Sequence, residues 1–109
     1  MNDQLELEIK YEDFEAYHDH MGKQLHVHGV CLIEGGGFAV DLRPADGTSS
    51  SPERLTMELS VHPTGESPSR QPLDWHRPWE DDHPYKEVDF VVTGVKAAAP
   101  EPLKVKDVY

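Results

Sequence analysis

The chain has 109 residues and one cysteine, with 21 Asp and Glu against 10 Lys and Arg, for a formal net charge of −11. That length predicts a single domain spanning residues 1–109. No stretch concentrates Lys and Arg, so the balance counts against nucleic acid and anionic membranes as partners.

The lone Cys31 allows no intrachain disulfide and points to a reducing, cytoplasmic setting; flanked by Val30, Leu32 and Ile33, it reads as a buried, inert thiol. The opening Met-Asn-Asp lacks the basic and apolar regions of a secretion signal. No apolar run approaches the roughly 18 residues of a membrane helix.

Apolar positions recur at period two, the strand signature. Leu5, Leu7, Ile9 and Tyr11 alternate with Glu6, Glu8 and Lys10, predicting a first strand with one buried face. Phe14, Ala16 and Tyr17 follow in an acidic segment that reads equally as a helical turn or a second brief strand. From Lys23 to Glu34 the set Leu25, Val27, Gly29, Cys31 and Ile33 opposes His26, His28, Val30 and Leu32, so this strand is half polar at first and apolar on both faces later. Gly35-Gly36-Gly37 then supplies positive φ for a tight reversal, and Phe38 to Arg43 returns, predicting a β-hairpin.

Pro44 to Pro52 is turn-rich, and Leu55, Met57, Leu59 and Val61 predict another half-buried strand that Pro63 ends. Residues 63–84 are rich in proline and show no period, so they predict a long Pro/Trp-rich loop. Tyr85 to Thr93 predicts a strand that Gly94 turns, and Val95 to Ala99 a short edge. Leu103 to Tyr109 carries Lys104 and Lys106, a device for blunting an edge strand. Six or seven short strands predict an all-β, antiparallel two-sheet sandwich, resembling immunoglobulin-like or transthyretin-like domains, with a small barrel as the alternative.

Two constellations could carry chemistry. Seven histidines include His26-x-His28 on a predicted strand and His18-x-His20 just before it. Residues i and i+2 share a strand face, and neutral imidazoles suit a divalent transition metal, so His18, His20, His26 and His28 are candidate ligands. The competing reading is plain polar surface. The second constellation is the 74–85 segment, with Trp75, His76, Arg77, Trp79 and Tyr85 as candidate ligand-binding residues. Indoles stack on sugars or peptides; in the competing reading they fold back over one end of the core.

Nucleophile elbows, phosphate loops, dinucleotide fingerprints and His-Glu-x-x-His helices are all missing, which favours a non-enzyme. The leading expectation is therefore a binding or interaction module presenting the 74–85 segment or a strand edge to a protein partner or a second copy. A His-based metal-binding protein or metalloenzyme and a carbohydrate-binding domain are the alternatives.

Overall fold

The computed structural model describes residues 5–45, 54–78 and 85–109. Among them are seven strands: β1 (Ile9–Asp19), β2 (Gln24–Ile33), β3 (Phe38–Pro44), β4 (Arg54–Pro63), β5 (Arg70–Pro78), β6 (Glu87–Thr93) and β7 (Leu103–Val108). They form a single sheet in the order β3-β4-β6-β7-β1-β2-β5. Its end strands β3 and β5 come together through Gln71, whose Oε1 accepts the Val40 N–H at 3.0 Å and whose Nε2 donates to the carbonyls of Phe38 and Pro68. The architecture is thus a nearly closed, barrel-like mixed sheet. It is all-β as expected, but the two-sheet sandwich gives way to the small-barrel alternative.

Two pairings account for the difference. β4 runs parallel to β6 and β1 parallel to β7, whereas the remaining pairs are antiparallel. The expected β2–β3 hairpin does not form, because β2 is flanked by β1 and β5 while β3 pairs with β4. Gly35, Gly36 and Gly37 do take positive φ, at 84°, 66° and 84°, but they turn a corner rather than a hairpin. The end of β2 is occupied instead by the 64–69 connection: Ile33 N–H donates to Ser69 O and Gly37 N–H to Ser67 O.

Within the loop expected over 63–84, Arg70–Pro78 is strand β5, where Pro72 and Pro78 obscure an alternation in which Gln71, Leu73, Trp75 and Arg77 are more buried than their neighbours. β7 is not an edge; it lies between β6 and β1, with Lys104 opposite Glu87. Lys106 Nζ lies 3.8 Å from Glu15 Oε1.

The core is built from Leu25, Val27, Cys31 and Ile33 of β2, Leu55, Met57, Leu59 and Val61 of β4, and Val88 and Phe90 of β6, with Ala16, Val40 and Val95 completing it. Full burial of each such aliphatic side chain contributes about 1.5–3 kcal/mol. Burial of Cys31 pushes its thiol up to about 12. Gly94 closes the β6 end at φ 88°, where an added Cβ would lie against the Val61 carbonyl, so a side chain cannot be accommodated there.

The segment left open between helix and strand, Phe14 to Tyr17, continues β1 through a bulge. Glu12 pairs with Val30 and Glu15 with His28, so one extra residue is inserted at Asp13–Phe14, and Asp13 takes φ 55°. A single inserted residue reverses the phase of the strand. Before it, Ile9 and Tyr11 face the core; after it, Phe14, Ala16 and His18 do, and Glu15 and Tyr17 turn outward. Phe14 fills the space over Gly29 and meets Tyr11 and Phe90 edge to face, with ring centroids 5.5 and 5.4 Å apart.

Candidate metal centre

The bulge decides which way the first histidine pair points. Continuing the phase of Ile9 and Tyr11 would send His18 outward; the inserted residue turns it inward, where it is 3% exposed. β1 then ends in a tight turn in which the Asp19 carboxylate accepts the Gly22 N–H at 3.0 Å and Lys23 takes φ 52°. His20 opens this turn, and its N–H donates to Val108 O at 2.9 Å, extending the parallel pairing of β1 with β7 by one residue.

That pairing sets His18 beside Asp107. His20 Nε2 and Asp107 Oδ1 are 2.8 Å apart, and the His18 and His20 rings lie 4.0 Å apart between centroids. Tyr109 stacks on His20 at 4.3 Å between centroids, with the ring planes 7° apart. One ligand atom from each of His18, His20 and Asp107 lies within 4.8 Å of the others. The cluster sits at one mouth of the barrel, where β1 and β7 end and β2 begins. Asp107 also lines a cleft of about 390 Å³ with Tyr85, Glu87 and Lys104, opened where β6 and β7 diverge after two paired residues.

The second histidine pair lies on the outer face. His26 stands directly across from His76 and His28 across from Asp74 on β5. His26, Asp74 and His76 form a second group with ligand atoms within 4.8 Å. His28 instead points its Nε2 to Glu15 Oε2 at 3.4 Å. The four histidines singled out by the sequence are therefore distributed between two places. Among the described residues these two are the groups of three or more metal-ligating side chains.

Strand alternation also divides the 74–85 segment. Trp75 is half-buried and packs against the core. The Arg77 guanidinium lies 5.5 Å from the Trp75 ring and 5.8 Å from the Tyr85 ring, and donates to the Tyr85 hydroxyl at 3.1 Å. His76 and Asp74 turn to the exposed side. Trp79 lies outside the described residues.

Asp107 and Asp74 were missed by sequence reasoning, and His76 was read as part of an aromatic platform rather than as a ligand. Asp74-x-His76 has the spacing of one strand face, and recognising β5 beneath its prolines would have exposed it. Nothing local marks Asp107, since it becomes a neighbour of His18 only through the parallel β1–β7 register.

Comparison with protein-family models, with curated proteins and with solved structures finds no match. The reading of this site rests on its own geometry.

Proposed function

We propose that this protein is a metal-binding β-barrel module that holds a divalent transition-metal ion at its mouth on His18, His20 and Asp107. The observation that carries it is the convergence of two imidazoles and a carboxylate, from two parallel strands, to within 4.8 Å. An ion bonded at about 2.0–2.2 Å in tetrahedral geometry needs donors about 3.4 Å apart, which modest side-chain rotation supplies.

The supports around these ligands favour the same reading. Burial restricts the His18 ring, Tyr109 fixes the plane of His20, and the His20–Asp107 hydrogen bond already holds a ligand pair together. Two nitrogens and one oxygen suit zinc, nickel or copper over calcium or magnesium. Three protein ligands leave a coordination position open for water or a small molecule, the arrangement of sites that act on a ligand. Trp75 packs inward beneath Arg77, which supports its role in covering the core and moves the binding reading from the 74–85 segment to the barrel mouth.

The test is calorimetric titration of the chelator-treated protein with Zn2+ or Co2+, beside His20→Gln and Asp107→Asn. Both positions are more exposed than His18, so these substitutions leave the core intact. Loss of one ligand is expected to weaken binding at this site at least tenfold, about 1.4 kcal/mol. Binding at this site unchanged in the two variants would sink the proposal.

A further inference from the structure

We infer that the outer face of the β2–β5 pair carries a second, independent transition-metal site, formed by His26, Asp74 and His76, that staples strand β5 to the barrel. Directly opposed residues in an antiparallel pair have Cβ atoms about 4.5–5.5 Å apart, so two opposed imidazoles reach a common ion without backbone movement. His26 and His76 are such a pair, with ring centroids 5.6 Å apart.

Asp74 lies two residues before His76 on the same face and supplies the oxygen donor. Tyr17 stacks on His26 at 4.7 Å with planes 13° apart, so the His26 ring is ordered from the side opposite His76. His28, across from Asp74, is held by Glu15 and stands beside the set as a donor that could replace water.

The mechanical consequence follows from topology. β5 is an end strand, paired to β2 along its length but joined to β3 through Gln71 near its beginning. An ion bonded to His26 on one strand and to Asp74 and His76 on the other crosslinks β5 at its later half, where Gln71 does not reach. Because the ion binds only when the strands are paired, it stabilises that pairing by mass action. This site shares no residue with the barrel mouth and does not depend on the reading given to it.

Titration of the chelator-treated protein with Zn2+ separates the two sites. The wild type is expected to take up two equivalents, His76→Gln and His26→Gln one each, and the His20→Gln/His76→Gln double variant none at the same concentrations. In His20→Gln, Zn2+ a hundredfold above its dissociation constant should raise the unfolding temperature by roughly 10–12 °C, and His76→Gln should abolish that rise in the same background. If His76→Gln and His26→Gln both bind Zn2+ with the stoichiometry and affinity of the wild type, the outer site does not exist. If uptake is lost in His20→Gln alone, the mouth stands and this inference is overturned; loss in His76→Gln alone sustains this inference and removes the mouth.

Discussion

Substitution of Gly29 by alanine tests the packing that lets β1 change phase. A Cβ built on Gly29 would lie 2.3 Å from Cδ1 and 2.5 Å from Cε1 of Phe14. Ordinary carbon contacts are about 3.5–4.0 Å, so the ring must retreat by more than about 1 Å. It is hemmed in by Tyr11 and Phe90, both edge to face. Overpacking of this kind costs about 1–3 kcal/mol, and the gain from replacing glycine in a strand recovers about 0.5–1 kcal/mol. With both terms at mid-range the net expectation is about 1 kcal/mol, or roughly 4–5 °C in unfolding temperature for a chain of this length.

The diagnostic measurement is a double-mutant cycle by urea denaturation with Phe14→Ala. Phe14→Ala alone should cost about 2–4 kcal/mol, since the ring is only partly buried, but in its background Gly29→Ala should become neutral or stabilising. Phe14→Leu provides a milder arm of the same cycle. Equal cost of Gly29→Ala in both backgrounds, or no cost in the wild type, would refute the argument that Phe14 occupies the space above Gly29.

Three other outcomes follow from the hydrogen bonds and burial. The Glu58 carboxyl is held below its usual range by the Thr93 hydroxyl, which donates to Oε2 at 2.6 Å, and by Arg43 at 3.0 Å. A depressed folded value means stability that is present above the unfolded carboxylate range near pH 4 and lost as pH falls through the folded value. Urea midpoints of Glu58→Gln should therefore fall less steeply on acidification than those of the wild type; parallel curves would contradict it.

Cys31, with its thiol up at about 12, should react with a thiol-specific disulfide reagent at pH 8 far more slowly in the native protein than in urea, and equal rates would place it outside the core. Tyr11 donates to Ala98 O at 2.6 Å, and burial, then the neighbouring Cys31, raise its phenol well above the ordinary range. The raised value stabilises the fold below the unfolded phenol pKa near 10, and that stability is lost as pH rises further. Alkaline spectrophotometric titration should leave Tyr11 un-ionised until the chain unfolds; Tyr11→Phe losing an early-titrating signal would be the contrary result.

Much of the fold was legible because strand alternation is a local property. The core residues Leu25, Val27, Cys31 and Ile33, the strand from Leu55 to Val61 and its stop at Pro63, and the inward set Val88 and Phe90 all follow from period two. The histidines stood out by their i, i+2 spacing alone. Two local signals misled. Three glycines between two strands look like a hairpin, yet the turn they make leaves β3 to pair with β4, because both flanks of β2 are taken. Prolines at 72 and 78 look like a loop, yet among the described residues β5 has one flank without a ladder partner, where a missing N–H costs little.

By itself, then, the sequence determined an acidic all-β chain, the faces of most of its strands, and the histidine pairs His18/His20 and His26/His28, but not the part of Asp74, His76 or Asp107 beside them. Only the tertiary structure decided which of those residues meet. His18 faces the barrel mouth because one extra residue at Asp13–Phe14 reverses β1, and it meets Asp107 because β7 pairs parallel to β1 across 89 positions of chain. His26 meets His76 because β5 adds to the free flank of β2. Register between distant strands is set by burial of the whole set of inward faces at once, and no short segment contains that information.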